Sequence, residues 1–268
     1  MIRFEHVTFA YGDQPTVRDI SFTAEPGEFI AVVGSNGAGK STVSKLCSGL
    51  LRPSSGRVTI LGQDTRTARA SALARHVGFL FQNPDRQLCQ PTIREEILFS
   101  LRCTMKDEAA IAERLEQALK DFDFEPDANP FSLSRGQRQR VALASLIAAR
   151  PEVLILDEPT TGLDYRECIH MMELIRELNR EQEITVLMVC HDMEVVLDFA
   201  RRMLVMADGQ LLGDGKTREI FRDRALLEKA SLLPPQIAQL AQRLPGPAFG
   251  DVYHVDEMVD AIRKEAVR

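Results

Sequence analysis

Glu28-Phe29-Ile30-Ala31-Val32-Val33-Gly34-Ser35-Asn36-Gly37-Ala38-Gly39-Lys40-Ser41-Thr42 is the stretch from which the fold can be read. Its first half is a short, β-branched apolar run, which predicts a buried strand. Its second half carries the Gly-x4-Gly-Lys-Ser pattern of a phosphate-binding loop, and a helical stretch runs on to about Leu50. Strand, glycine turn and helix in that order is the context the pattern requires. The glycines let successive backbone N–H groups turn inward around one anion, and the helix points its positive end at the same place. Ser35, Asn36, Gly37, Ala38, Gly39 and Thr42 are therefore expected to line the phosphates, with Lys40 reaching the β- and γ-phosphates and the Ser41 hydroxyl on Mg²⁺.

Such a loop needs a second carboxylate on the magnesium side, at the end of a neighbouring buried strand. Val153-Leu154-Ile155-Leu156-Asp157 supplies one: four apolar residues end in an acid. That is the carboxyl edge where ligands gather in open α/β sheets. Asp157 is expected to hold the metal, through water. Glu158 follows at once and, in an extended chain, faces the other way. A carboxylate there is placed to polarise water against a γ-phosphate.

Around these motifs the texture changes along the chain. Ile2 to Ala10 and Val17 to Thr23 read as strands, as does Arg57-Val58-Thr59-Ile60-Leu61-Gly62. Residues 84–151 are rich in helix formers, with helical patterns at Thr92 to Leu101, Asp107 to Phe122 and Ser134 to Ala149. This predicts a helical subdomain inserted into an α/β core. The core resumes at Val153, passes through a helix at Tyr165 to Glu181, and returns at Thr185-Val186-Leu187-Met188-Val189. Asp208-Gly209 between apolar stretches is a hairpin signal. Residues 1–215 thus form one unit, and residues 216–268, broken by Pro234-Pro235 and Pro245-Gly246-Pro247, a small C-terminal extension. Two readings of that extension stay open: dimer contacts, or packing against its own cassette.

Composition narrows the partners. The 39 acidic residues against 33 basic leave a net charge of -6, which argues against a nucleic-acid partner. Cys47, Cys89, Cys103, Cys168 and Cys190 are scattered without a C-x-x-C pair, and each is read as a reduced, buried thiol. The N-terminus lacks the form of a signal peptide, and no apolar run nears the ~20 residues of a membrane span. Any crossing of a membrane is therefore expected of other chains.

Leu133-Ser134-Arg135-Gly136-Gln137, just ahead of Asp157, closely resembles the Leu-Ser-Gly-Gly-Gln signature of ATP-binding cassette (ABC) ATPases. Gln82 follows Val77-Gly78-Phe79-Leu80-Phe81 like the Q-loop, and Gly162-Leu163-Asp164 is similar to the D-loop. His191, after Cys190, resembles the switch histidine, and Tyr11 stands where the adenine-stacking aromatic is found. The resemblance covers residues 1 to about 215. It implies an α/β ABC core, a mixed sheet with an N-terminal antiparallel part, and ATP with Mg²⁺ as the bound pair. It implies Glu158, His191 and Gln82 as catalytic residues, Ser41, Gln82 and Asp157 at the metal, and Tyr11, Ser134, Gly136, Gln137 and Asp164 at the nucleotide. Ser134 and Gly136 also precede a helix, so they can present a hydroxyl and backbone donors to an anion. Two anion sites and one nucleotide suggest a sandwich of two subunits, which is how the family is built. Arg135 departs from the pattern by replacing the first glycine.

Phe81-Gln82-Asn83-Pro84-Asp85-Arg86-Gln87-Leu88 resembles the Q-loop of energy-coupling factor (ECF) transporters, and Leu232-Leu233-Pro234-Pro235-Gln236-Ile237 resembles the tail of their ATPase subunits. That resemblance implies an ATP-hydrolysing subunit driving micronutrient uptake, of a vitamin or a transition metal ion. Its partners would be a second ATPase subunit, identical or a paralogue, a transmembrane coupling protein and a substrate-binding membrane protein. The chain would sit peripherally on the cytoplasmic face of the membrane, with Pro84 to Leu88 receiving the coupling helices. The alternatives are the ATPase of another ABC transporter, or a non-transport ABC ATPase. The latter would carry long heptad stretches or two cassettes, neither of which is present. A P-loop kinase would need neither Leu133 to Gln137 nor His191.

Overall fold

The computed structural model describes residues 1–266. The chain opens with β1 (Ile2–Ala10) and β2 (Pro15–Ala24), which pair antiparallel. In β1 the buried set switches from Ile2 and Phe4 to Val7 and Phe9, and the switch falls at His6, whose φ is 50°. An irregularity there resets the two-residue alternation so that one strand faces one core along its length. The nucleotide-loop strand is β3 (Phe29–Gly34), followed by α1 (Lys40–Cys47). Next come β4 (Ser55–Ile60), the short β5 (Gln63–Asp64), α2 (Ala70–Leu73) and β6 (Val77–Leu80).

Three helices then pack on one another: α3 (Ile93–Thr104), α4 (Glu108–Asp121) and α5 (Arg135–Ala148). Their starts are set by Thr92, Asp107 and Ser134, whose side chains each accept a backbone N–H of the first turn. The rest of the core is β7 (Val153–Asp157), α6 (Tyr165–Gln182), β8 (Thr185–Val189), α7 (Met193–Phe199), β9 (Arg202–Ala207) and β10 (Gln210–Lys216). The β9–β10 hairpin turns at Asp208 and Gly209, both at positive φ.

Two sheets result. One is antiparallel, in the order β2-β1-β4-β5. The other runs β10-β9-β3-β8-β7-β6, parallel from β9 to β6 and closed by antiparallel β10. Strands buried on both faces need apolar residues at every position, and β3 shows why. Ile30 and Val32 join the core shared with the antiparallel sheet and α1, while Phe29, Ala31 and Val33 join the core under α3 to α7. The expected fold class is the one observed.

The strands beside β3 are β9 and β8, not the β7 that ends in Asp157; β7 lies one strand beyond β8. The four parallel strands β3, β8, β7 and β6 are therefore consecutive, and each delivers a candidate site residue at its carboxyl end. Three of the cysteines, Cys47, Cys168 and Cys190, are buried as expected, and burial pushes the Cys168 thiol up to about 11 and that of Cys190 up to about 12. Cys89 and Cys103 are exposed, on the loop before α3 and on its outer face, which corrects their assignment to the core.

After β10 come α8 (Thr217–Arg222), α9 (Arg224–Lys229), α10 (Gln236–Ala241) and α11 (Val255–Ala266). Phe221, Leu227, Ala238 and Tyr253 join the main core, so this segment packs on its own cassette. Met258 and Ala261 of α11 join a small separate core with Phe249 and Val252. The adjacent side of α11 leaves Val255, Val259 and Ile262 exposed, at helical spacing.

Candidate active site

The glycine loop curls between β3 and α1. Gly34 has a φ of 149°, and a β-carbon there would come within 2.1 Å of the Met206 carbonyl oxygen, so only glycine lets β9 and the loop approach this closely. Lys40 is buried, and its Nζ donates to the carbonyls of Gly34 and Ser35, each at 2.8 Å. Burial holds its pKa below the ordinary 10.5, opposed by the charges of Glu158 and Asp157. The lysine is thus folded into the loop whose backbone would cradle phosphates. The surrounding cleft holds about 210 Å³ and is walled by Thr16, Asn36, Gly37, Gly39, Lys40 to Thr42, Glu158 and His191.

Ser41 Oγ donates to Asp157 Oδ1 at 3.0 Å. Asp157 is buried, and that burial raises its pKa, against the Ser41 hydrogen bond and with the added repulsion of Glu158. A hydroxyl and a carboxylate oxygen side by side are the hard donors that Mg²⁺ prefers, and Mg²⁺ commonly takes only one or two protein ligands beside substrate phosphates. The residues present therefore fit the ion. Among the described residues no three His, Cys, Asp or Glu side chains group into a metal cage of their own.

Glu158 departs from the extended conformation expected of it. Its φ is 52°, which turns the chain sharply after β7, and its N–H donates to the Val189 carbonyl at 3.0 Å. Its carboxylate accepts from Gln82 Nε2 at 2.6 Å and from Thr161 Oγ1 at 3.1 Å, and meets His191 Nε2 at 2.8 Å. Gln82, Glu158 and His191 are thus gathered around one carboxylate, from the ends of β6, β7 and β8.

The other expected residues lie apart from this cleft. Ser134 is the N-cap of α5: its Oγ accepts from Gln137 N at 3.2 Å, and Gln137 Oε1 accepts from Ser134 N at 2.9 Å. The cap uses the oxygen and leaves the hydroxyl proton able to donate. Gly136 lies inside the first turn of α5 rather than before it and is buried, with a β-carbon there falling 2.7 Å from Glu167 Oε2. Asp164 caps α6 by the same reciprocal arrangement with Glu167. Tyr11 is 62% exposed and meets Phe9 edge to face, outside the walls of the cleft. Thr16 lines the cleft although no motif marks it. It arrives there as the second residue of β2.

A lysine, a serine and a paired Asp-Glu at the carboxyl ends of parallel strands suit nucleoside triphosphate hydrolysis, the chemistry of the P-loop ATPases. The sequence matches the ABC transporter family over residues 17–161. It is 39% identical over 269 residues to the energy-coupling factor transporter ATP-binding protein EcfA1 of Geobacillus kaustophilus, covering 98% of this chain and 96% of that one. The fold matches cbiO1 of Clostridium perfringens, described as part of the ABC transporter complex cbiONQ. That match has a TM-score of 0.76 and 32% identity, over 90% of this chain and 98% of that one. It also matches the ATP-binding cassette MJ0796 in a dimeric post-hydrolysis state bound to ADP and Pi. Here the TM-score is 0.73 and the identity 28%, over 81% of this chain and 99% of that one. Other curated relatives are longer: the chain spans 46% of one that is 41% identical over 267 residues. The chain belongs to the ABC transporter family. Within it, the chain is an ATPase of the energy-coupling factor type.

Proposed function

We propose that Glu158 is the general base of ATP hydrolysis and that the signature loop of a second cassette completes its site. The observation that carries this reading is the Glu158 carboxylate, held between Gln82 and His191 at the wall of the cleft that Lys40 and Ser41 floor. The carboxylate takes a proton from the attacking water as the water oxygen bonds to the γ-phosphorus. The bond from that phosphorus to the bridging oxygen breaks, leaving ADP and phosphate. His191 and Gln82 keep the carboxylate turned toward that water. Lys40 exchanges its two loop carbonyls for phosphate oxygens, and Ser35 to Thr42 supply backbone donors. Ser41 and Asp157, with Gln82 near, would hold Mg²⁺, which supplies charge neutralisation on the phosphates when bound. Tyr11 would move onto the adenine from its exposed position.

The partner cassette follows from the distribution of donors. Ser134 and the free N–H groups of the 14-residue α5 form an exposed, anion-ready helix end, yet Ser134 does not wall the cleft of its own chain. A second copy or a paralogue, turned by a two-fold axis, brings the one site to the other, with Asp164 and Gln137 at the seam. The apolar stripe of α11 supports a further contact in that dimer. Asp256 and Glu257 lie in its first turn and Arg263 and Lys264 in its last, so an antiparallel second copy sets acid against base. Residues 216–268 then serve as a dimer extension to the cassette of residues 1–215, with residues 84–151 as its helical subdomain.

No helix among the described residues is long and apolar enough to cross a membrane. The chain would act peripherally at the cytoplasmic face, beneath a transmembrane coupling protein and a substrate-binding membrane protein, to import a vitamin or metal ion. Affinity purification from detergent-solubilised membranes, followed by mass spectrometry, tests this. Recovery of polytopic membrane proteins with a second cassette is expected; a chain recovered alone, transferring phosphate to a small molecule, would contradict it.

A further inference from the structure

Arg135 occupies the first position of α5, where the family pattern has a glycine. Its Nη2 donates to the Gln82 carbonyl at 3.3 Å. Its stem and guanidinium lie over Gly162, where even a methyl group would come within 3.2 Å of Arg135 Cδ and Nε. Gly162 also has a φ of 83°, so that position is bare for two reasons, and the arginine uses the space. The long side chain in the signature is thus matched by an absent one in the facing loop.

Arg135 does not act on a free segment. Gln139 Nε2 donates to the Phe81 carbonyl at 3.4 Å, and Gln87 Nε2 donates to the Ala142 carbonyl at 3.1 Å. Arg138 Nε pairs with Asp85 Oδ1 at 2.8 Å. The stretch from Phe81 to Gln87 is bolted along one side of α5, and Arg135 is the bolt at Gln82. From there the Gln82 side chain reaches Glu158 at 2.6 Å.

We propose that Arg135 is a positioning residue for hydrolysis: it fixes the Gln82 backbone against the start of α5, and through the Gln82 amide it fixes the Glu158 carboxylate. The proposal rests on the reading of Glu158 as the base. Ser134 precedes Arg135 directly, so a displacement of Ser134 by a phosphate is passed to Gln82 of the same subunit. In a sandwich those two residues face different nucleotides, and Arg135 then joins one site to the other.

Steady-state ATPase kinetics on the full chain test this, with Arg135→Gly, Arg135→Lys, Gln82→Ala and the Arg135→Gly/Gln82→Ala double variant. Arg135→Gly is expected to lower kcat on the order of tenfold, the worth of one charge-assisted hydrogen bond. The ATP KM and the affinity for a fluorescent ATP analogue should stay within about twofold, and Arg135→Lys should recover most of the loss. In the Gln82→Ala background the same Arg135→Gly change should cost less than about twofold, because the group it positions is gone. An equal loss in both backgrounds, an unchanged kcat, or a loss carried by KM would overturn the proposal. Where Arg135→Gly lowers the melting temperature, Arg135→Gln replaces it in the same cycle. Full activity in Glu158→Gln would instead remove the reading of the base on which the proposal stands.

Discussion

Gln82 and Glu158, 76 residues apart, are joined by a hydrogen bond of 2.6 Å from the glutamine amide to the carboxylate. His191 meets the other oxygen at 2.8 Å. The carboxylate therefore has its orientation fixed from both sides before any substrate arrives. A carboxylate held this way acts by taking a proton, and it loses that function when it is replaced by an amide. Glu158→Gln should cut kcat by about 10²–10⁴-fold while leaving nucleotide binding intact. With ATP and Mg²⁺, size-exclusion chromatography should show that variant as a dimer. A monomer under those conditions, or full turnover, would remove Glu158 from its role.

Lys40 spends its charge on two carbonyls of its own loop. Lys40→Ala should therefore spare the fold of the loop less than it spares the rest, and it should weaken ATP binding by about 10- to 100-fold, the loss of one or two charge-assisted contacts. Isothermal titration calorimetry measures this directly, and an unchanged affinity would count against the phosphate cradle.

Much of this site was legible in the residues. The apolar run into Gly34, and the second run that ends at Asp157, needed only periodicity and a motif. Contacts made by tertiary geometry were not legible. No local pattern marks Thr16, because β2 carries it to the cleft from another sheet. Glu158 was expected in extended backbone, since a sequence does not display that the chain must bend at once to reach the β8 edge. Gly136 falls inside α5 because the reciprocal Ser134–Gln137 cap starts the helix at Arg135, two residues earlier than a helix preceded by Gly136 would. The neighbour of β3 was misjudged because β8 follows β7 in sequence yet inserts between them in the sheet.

Burial makes the ionised form of Asp157 costly in the metal-free protein. Its pKa is raised above the ordinary 3.8, so the folded state binds a proton more readily than the unfolded one. The penalty is absent below about pH 4, grows as the pH rises through the raised value, and is complete above it. In EDTA at pH 7, Asp157→Asn should melt higher than the parent chain, with the gap closing toward pH 4. The same variant should gain less stability from Mg²⁺ with nucleotide. Differential scanning calorimetry across that pH range checks both signs; a lower melting temperature for the variant at pH 7 would contradict the account.

The exposed stripe on α11 gives a separable test of the extension. Ile262 is 50% exposed, so an acid there is tolerated in a lone chain but sits in the seam of the proposed dimer. Ile262→Asp should weaken self-association in sedimentation velocity by about 10- to 100-fold, with ATP affinity unchanged. Equal association of both proteins would assign the stripe no part in the dimer.

The central claim is a nucleotide shared between two cassettes, and a structure of Glu158→Gln with ATP and Mg²⁺ tests it most directly. The account predicts the Ser134 hydroxyl within hydrogen-bond distance of a γ-phosphate whose other side is held by the opposite subunit's loop lysine. A structure in which each ATP is enclosed by one chain alone, with Ser134 turned to solvent, would contradict it.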